Sequence, residues 1–431
     1  MKSSKVEVCY VARVEGQGAI NVEVNSGGEV KRSEFAIFEP PRFYEAFLRG
    51  RKFDEVHELT SRICGICPIA HQMTALRAVE NAYGIDISEQ TRQLRRLLAF
   101  SAYIQSHSLS VFYLTAPDYL GYDGVISMAG DHRELVEFAL RMKKLGNDIG
   151  EVVGGRAVHP VSAVVGGFTK IPSREELSPF LDRLKGARKE MLEAAKTVGG
   201  LDFKTIDADN ELVAIHSDDW YSINEGRLVS SKGIDVPEED YRKVIDEVQV
   251  VHSNTKRSTV RDRDTFMVGP LARVHLNRHQ LSTGAKKAVA AVGLNLDSMD
   301  PFDNVRARVV EIVQSIDESI DILRNVDLDV AEQPVRAHIG MPCEGAALTE
   351  APRGLLFHGY RFDKSGAVTH ADIVPPTAHN SAHVEDMLRA LSPGVVRAGG
   401  DLTFECEKLV RAYDPCISCS VHATVVVNGG D

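Results

Sequence analysis

The chain has 431 residues, of which 43% are hydrophobic and 26% charged, and its net charge at pH 7 is −11. These values are typical of a soluble globular protein with a large buried core, and the negative charge argues against nucleic acid or an anionic membrane as the main partner. The sequence has no apolar run of the roughly 20 residues that a membrane-spanning helix needs. Its first residues lack the apolar core of a secretory signal, so we predict a cytoplasmic protein without a transmembrane segment.

The predicted elements begin with strands and continue mostly with helices. The first fifty residues are predicted as strands, with a hairpin that turns at the Ser-Gly-Gly sequence of 26–28. A helix is predicted from Pro68 to about Tyr83, because proline suits a first helical turn. Apolar spacing of three and four residues predicts a longer helix over about 89–114. Further helices are predicted over about 132–148, 174–198, 276–293, 303–325 and 382–391, and strands and loops over 210–235 and 352–375. We therefore predict an α+β fold that is predominantly helical: a single large domain with a long-helix core and peripheral β-sheets.

Four of the seven cysteines lie in two C-x-x-C pairs, Cys64 with Cys67 in RICGICPIAH and Cys416 with Cys419 in DPCISCSVH. Two intervening residues let both sulfurs of a pair reach one metal. Four thiolates form a soft site that suits zinc, nickel, copper(I) or an iron–sulfur cluster and disfavours magnesium or calcium. A structural zinc site is the simplest alternative, although zinc ribbons usually bring their cysteine pairs within a few tens of residues. Here about 350 residues separate the two pairs.

The two cysteine motifs resemble the signature motifs of nickel–iron hydrogenase large subunits. Further stretches resemble other elements of that family in the same order: RVEG at 13–16, PRFYEAFLRGR at 41–51, GGRAVHP at 154–160, VGGF at 165–168, EAPRG at 350–354 and IVPPTAHN at 373–380. The resemblance implies a large-subunit catalytic domain over residues 1–422. Residues 423–431, which follow the last motif, are then expected to be a C-terminal maturation peptide.

The resemblance implies reversible heterolytic cleavage of dihydrogen at a nickel–iron centre. All four cysteines would bind nickel, and Cys67 and Cys419 would bridge to an iron that carries carbon monoxide and cyanide. Pro352, Arg353 and Thr377 would contact these diatomic ligands. In such an enzyme the cofactor performs the difficult chemistry, and the protein orients and tunes it.

The resemblance also implies roles in proton transfer and electrostatics. Cys416 is the expected proton acceptor, because thiolate basicity near a metal is adjustable. Glu15, in RVEG, is expected to receive the proton next. Arg353 would place a permanently charged guanidinium over the metals, with Asp118 from APDYL near it and Asp414 as a second carboxylate partner.

Two further features follow from the family motifs. His71 comes one helical turn after Cys67 and is expected to donate a hydrogen bond to a cysteine sulfur, which would tune the metal. Glu45, His422 and the main-chain carbonyl of Asp372 resemble the ligands of a separate magnesium or iron ion near the C-terminus.

Electrons must leave through another chain, because no iron–sulfur motif remains once the four cysteines are assigned. The resemblance implies an iron–sulfur small subunit, a maturation protease and nickel-insertion factors. The ICGICPIAH and PPTAHN variants resemble the cytoplasmic, cofactor-coupled group. That group has further flavin and iron–sulfur subunits that pass electrons to NAD(P), a deazaflavin or a heterodisulfide reductase.

Two alternatives remain at this stage. The quinone-site subunit of respiratory NADH:quinone oxidoreductase shares the expected fold but lacks the cysteines. A structural zinc protein that only binds partners would keep the cysteines but would contain no nickel.

Overall fold

Helices form most of the regular secondary structure in this computed structural model, which describes residues 4–421 of the chain. The α-helices in this range are α1 Tyr44–Leu48, α2 Val56–Ser61, α3 Pro68–Tyr83, α4 Glu89–Leu109, α5 Ala116–Leu120, α6 Val125–Met128, α7 Arg133–Gly154, α8 Arg174–Leu177, α9 Pro179–Gly199, α10 Tyr241–Val244, α11 Pro270–Leu276, α12 Thr283–Val292, α13 Asn304–Asn325, α14 Pro376–Ala398, α15 Leu402–Tyr413 and α16 Ile417–Ser420. A π-helix, Ser110–Thr115, continues α4. The predicted α+β fold with a predominance of helix is confirmed.

Small sheets pack against the helices. The strands of the described range are β1 Ser4–Val8, β2 Gly18–Val24, β3 Val30–Ile37, β4 Ala163–Val164, β5 Gly167–Phe168, β6 Glu211–His216, β7 Arg227–Ser230, β8 Asp235–Val236, β9 Ile245–Val248, β10 Arg257–Val260, β11 Phe266–Met267, β12 Cys343–Ala351, β13 Gly354–Phe362 and β14 Val368–Val374. Two antiparallel sheets, β1-β2-β3 and β12-β13-β14, have three strands each. The predicted hairpin is confirmed, because β2 and β3 pair across a turn in which Gly28 N donates to Asn25 O.

Capping residues explain where the helix predictions succeed and where they fail. α3 runs from Pro68 to Tyr83 as predicted, and Gly84 ends it in the left-handed conformation with a φ of 61°. The single helix predicted over 276–293 is wrong. The Ser282 side chain accepts a hydrogen bond from Ala285 N and starts α12 as its N-cap, after α11 has ended. The strand prediction for the first fifty residues also missed α1.

Five helices that pack on one another form a large part of the core. α4 packs against α7 and α13, and α13 packs against α9 and α12. Gly146 of α7 permits a close approach to α4, since a Cβ atom at this position would lie 2.5 Å from the carbonyl oxygen of Ser101. Within residues 4–421, none of these helices is both long and apolar enough to cross a membrane.

The N-terminal segment lies directly against the second cysteine motif. Cys67 is the N-cap of α3, and Cys416 is the N-cap of α16. Glu15 pairs with Cys416 in an isolated parallel bridge, and Ile417 N donates to Glu15 O at 3.0 Å. Gly16, with a φ of 88°, permits this approach because a Cβ there would lie 2.6 Å from Ile417 Cβ. The RVEG segment at 13–16, which follows β1, is therefore in contact with the second cysteine motif.

Candidate metal centre

Four cysteine sulfurs lie together where the two motifs meet. The Sγ atoms of Cys64, Cys67, Cys416 and Cys419 all lie within 4.8 Å of one another. The Cys64–Cys416 sulfur distance is 3.3 Å and the Cys67–Cys419 distance is 3.9 Å. No side chain of the four is more than 4% exposed. The predicted meeting of two distant pairs at one point is confirmed.

Backbone N–H groups favour negative charge on one of these sulfurs. Cys64 Sγ accepts hydrogen bonds from Ile66 N at 3.3 Å and from Cys67 N at 3.1 Å. Both donors lie at the N-terminus of α3, where the helix dipole also favours an anion. Burial raises the pKa of Cys64, but hydrogen bonds from Cys416, Cys419 and Cys67 outweigh it and lower that pKa well below its usual range.

The other thiols need a cation before they can ionise. The hydrogen bond with Cys419 raises the pKa of Cys416 well above its usual range, and burial raises the pKa of Cys419 in the same way. Four anionic sulfurs in a dry space this small repel one another, whereas a bound metal ion deprotonates coordinating thiols. The donor set is therefore suited to a soft metal, and nickel and iron both fit it.

A buried arginine carries positive charge next to the sulfurs. Arg353 is 2% exposed; its Nε donates to Asp414 O at 2.7 Å and its Nη2 to Asp414 Oδ1 at 3.0 Å. Its Nη1 lies 3.4 Å from Ser106 Oγ. Burial lowers the pKa of Arg353, but the charges of Asp414, Cys416, Cys67 and Cys64 outweigh it and raise that pKa well above its usual value. The guanidinium is a permanent cation at this site.

Thr377 and Pro352 lie on the segments that hold Cys416 and Arg353. Cys416 N donates to Thr377 Oγ1 at 2.9 Å, so the first turn of α14 fixes the start of the second motif. The carbonyl oxygen of Pro352 accepts a hydrogen bond from Arg273 Nη2 at 2.9 Å. This contact fixes the backbone directly before Arg353.

Glu15 reaches into the second cysteine motif. Ser418 N donates to Glu15 Oε2 at 3.1 Å, and the Ser418 hydroxyl donates to Glu15 Oε1. Ser418 lies between Cys416 and Cys419, and none of the roles predicted from the sequence involves it. Its position inside a C-x-x-C pair was the available signal, but only the fold shows which acid it bonds. Glu15 is half-buried, so part of this residue is accessible to solvent.

His71 bonds another histidine. Its Nδ1 lies 3.1 Å from His358 Nε2, and burial lowers the pKa of His71 to about 4, so the ring is neutral at pH 7. The hydrogen bond from His71 to a cysteine sulfur stays a prediction.

The expected pairing of Asp118 with Arg353 needs correction. Arg411 Nε donates to Asp118 Oδ2 at 2.7 Å and Arg411 Nη2 donates to Asp118 Oδ1 at 3.0 Å, and Arg13 also bonds Asp118. α15 carries Arg411 inward to α5, so this arginine occupies the Asp118 carboxylate, whereas Arg353 bonds Asp414. Arg411 gave no signal in the sequence, because it lies in an ordinary amphipathic helix.

The expected second ion site is only partly within the described residues. Glu45 is 4% exposed and accepts a hydrogen bond from Ile373 N at 3.0 Å, and burial raises its pKa. The Asp372 carboxylate is paired with Arg242, and the ligand role of the Asp372 main-chain carbonyl stays a prediction. His422 and the expected peptide at 423–431 lie outside the described residues.

Comparison with known proteins assigns these features to a family. A family model described as nickel-dependent hydrogenase matches residues 42–133 and 189–422, more than half of the chain. Both cysteine pairs fall inside the matched residues.

Similar proteins match the chain over nearly its whole length. The alpha subunit of sulfhydrogenase 1 from Pyrococcus furiosus is 35% identical over 428 residues, which is 97% of each chain. The alpha subunit of sulfhydrogenase 2 from the same organism is 32% identical over 422 residues, 97% of this chain and 98% of that one. A crystal structure of an NAD+-reducing NiFe-hydrogenase in its H2-reduced state is 25% identical with a TM-score of 0.86. The match covers 97% of this chain and 99% of that one.

Proposed function

The chain belongs to the nickel-dependent hydrogenase family, and on that premise we propose that its four-cysteine centre cleaves dihydrogen, reversibly and heterolytically, into two protons and two electrons. It is an oxidoreductase and a hydrogenase large subunit. The observation that carries the proposal is the buried group of four cysteine sulfurs beside the Arg353 cation. The complete pairs and the family match also exclude the quinone-site alternative, which lacks these cysteines.

The four thiolates are proposed to hold nickel, with Cys67 and Cys419 binding iron as well. When bound, the nickel–iron centre, with carbon monoxide and cyanide on its iron, supplies the redox chemistry that splits the H–H bond. Arg353, Pro352 and Thr377 are proposed to face the diatomic ligands. The guanidinium offers fixed N–H donors to cyanide. The Thr377 hydroxyl accepts from Cys416 N and still has its own proton to donate.

The proton is proposed to pass from the Cys416 sulfur to the Glu15 carboxylate. Ser418 supports this route, because its N–H and hydroxyl orient both oxygens of Glu15. Asp414 is proposed to orient Arg353. Asp118 is proposed to act indirectly, by holding other residues in place. Its ion pairs with Arg13 and Arg411 connect the segment before Glu15 to α15.

Arg353→Lys is expected to lower turnover about 10²- to 10³-fold, the usual effect of removing one positioned donor. Lysine keeps a charge but cannot reproduce the two bonds that the planar guanidinium makes to Asp414. Hydrogen oxidation with an artificial acceptor measures the loss, and nickel and iron content should stay at wild-type values. Arg361→Lys is the matched control, because Arg361 pairs with Glu344 at the exposed surface. A lysine variant at 353 that turned over like the wild type would remove any special role for the guanidinium.

The electrons are proposed to leave to an iron–sulfur small subunit that docks beside the cysteine loops. Phe43 and Phe47 are 46% and 48% exposed. The neighbouring Arg42 side chain donates a hydrogen bond to Ile63 O, directly before Cys64, at 2.7 Å. Exposed aromatic side chains next to an arginine are typical of protein interfaces. Further flavin and iron–sulfur subunits are proposed to pass the electrons to a cytoplasmic soluble acceptor such as NAD(P) or a deazaflavin. The similarity to an NAD+-reducing hydrogenase supports NAD(P) as the acceptor.

Residues 423–431 are proposed to be removed by a maturation protease after nickel-insertion factors have loaded the centre. Val421 is fully buried and its carbonyl accepts a hydrogen bond from Arg42 N at 3.0 Å, so the chain is inside the protein just before the proposed cleavage point. Trimming would let the new terminus close over the site. Intact-mass measurement should find active enzyme ending at His422, and full activity in a chain that ends at Asp431 would contradict the proposal.

Metal analysis of the purified, active complex tests the proposed function directly. We expect nickel and iron, together with infrared bands from metal-bound carbon monoxide and cyanide. A further magnesium or iron ion is expected from the proposed site at Glu45, the Asp372 carbonyl and His422. Active protein with stoichiometric zinc and no nickel would overturn the proposal in favour of a zinc site.

A further inference from the structure

Three buried side chains form a hydrogen-bonded chain that begins at His71. His71 Nδ1 lies 3.1 Å from His358 Nε2, and His358 Nδ1 lies 2.6 Å from the Tyr360 hydroxyl oxygen. The three side chains are at most 2% exposed. His358 and Tyr360 lie two residues apart on β13, so they share one face of the sheet, and α3, which carries His71, packs on this strand.

The direction of these hydrogen bonds can be inferred from the chemistry of the groups. Each contact holds one proton, since a neutral imidazole has one donor and one acceptor nitrogen. A phenol is a good donor, so Tyr360 is expected to donate to His358 Nδ1. His358 must then carry its proton on Nε2 and donate it to His71 Nδ1. His71 in turn carries its proton on Nε2, and each bond polarises the next.

The opposite direction conflicts with the surroundings of His71. In that order His71 would carry its proton on Nδ1 and present the lone pair of Nε2 on its other edge. His71 follows Cys67 by one helical turn of α3. Burial lowers the pKa of His71 and the charge of Cys64 opposes this shift, so the ring lies near the sulfurs. A thiolate accepts hydrogen bonds and has none to donate, so a lone pair facing it would be repelled.

We propose that Tyr360 and His358 are positioning residues that hold His71 with its proton on Nε2, so that His71 donates a hydrogen bond to a thiolate of the metal centre. This inference rests on the proposed nickel–iron function. The inference adds Tyr360 and His358 to the residues that position groups around the metal centre. It also explains which ring nitrogen of His71 carries the proton. Removal of a residue that orients or hydrogen-bonds a metal ligand typically lowers metal affinity or activity about 10- to 100-fold.

The proposal predicts the direction in which the infrared band of metal-bound carbon monoxide shifts when the hydrogen bond to the thiolate is lost. A hydrogen bond withdraws electron density from a thiolate, and without it the sulfur donates more to the metals. More density on iron strengthens back-donation into carbon monoxide, so its stretching band should move to lower wavenumber. A purely structural role for Tyr360 or His358 would leave the band where it is in every molecule that still holds its metals.

The test uses infrared spectra and nickel content of the purified multi-subunit enzyme. Tyr360→Phe removes only the hydroxyl donor and should shift the band downward and lower activity about 10- to 100-fold. His358→Leu should do the same, whereas His358→Gln keeps an N–H that can donate to His71 and should recover most of the wild-type band. Tyr241→Phe is the matched control, because Tyr241 also bonds a buried histidine, His379, at 2.7 Å but takes no part in the chain at His71.

The outcomes separate this inference from the proposed function. If the wild-type enzyme lacks nickel and the carbon monoxide band, the proposed function fails. If the wild type shows the band and Tyr360→Phe leaves it unmoved, or Tyr241→Phe moves it equally, the positioning role is overturned and the function stands. A downward shift confined to Tyr360→Phe and His358→Leu, with recovery in His358→Gln, supports the proposal.

Discussion

Serine in place of any one of the four site cysteines is expected to abolish hydrogen oxidation. The reason is the donor set: the four sulfurs lie within 4.8 Å of one another in a buried space, and an alcohol oxygen is a much harder and more weakly acidic ligand than a thiolate. Activity with an artificial acceptor and the nickel and iron content should be measured together. Serine at Cys67 or Cys419 is also expected to prevent iron retention, because these two are the proposed bridging ligands.

Cys406→Ser is the matched control for the cysteine series. Cys406 is fully buried in α15, as the site cysteines are buried, but it lies outside the group of four sulfurs. We expect its serine variant to keep both metals and most of its activity. Wild-type turnover in Cys64→Ser or Cys416→Ser would show that the proposed centre is not the site of catalysis.

Glu15→Gln is expected to separate proton export from cleavage at the metals. Glutamine has nearly the shape of glutamate and can still form hydrogen bonds with Ser418, because the Ser418 hydroxyl can accept a hydrogen bond as well as donate one. It cannot exchange a proton, so hydrogen oxidation should fall about 10²- to 10⁴-fold, the usual contribution of a positioned acid or base. Hydrogen–deuterium exchange with water should fall similarly. Conversion between para- and ortho-hydrogen should fall much less, because it does not require protons to leave the site.

Two controls keep this experiment specific. Glu15→Asp retains a shorter acid and should keep part of the activity. Glu39→Gln changes a neighbouring carboxylate that bonds Gln17 N at 2.9 Å and should behave like the wild type. Loss of the metals in Glu15→Gln would make Glu15 structural, and normal isotope exchange with water would mean that the proton leaves by another route.

Local features of the sequence were sufficient for the bounds of α3 and for the kind of metal site. Pro68 and Gly84 mark the ends of α3, because they set backbone angles that a helix start and a helix end require. Two C-x-x-C pairs indicate a soft metal centre whatever the fold, because that property belongs to the sulfurs themselves. By contrast, Ser282 divided a predicted helix, because a capping hydrogen bond outweighed continuous apolar spacing.

Partner choice within the centre was decided only by the tertiary structure. The sequence marked Glu15 and His71 as candidates through family motifs, yet Ser418 as the group that holds Glu15 and His358 as the partner of His71 appear only in the folded chain. Asp118 was assigned the wrong arginine, because the packing of α15 brings Arg411 to it. These contacts join residues that are between 287 and 403 positions apart. Sequence patterns report the preferences of neighbouring residues, whereas distant partners are fixed by how whole helices and sheets bury their faces against each other.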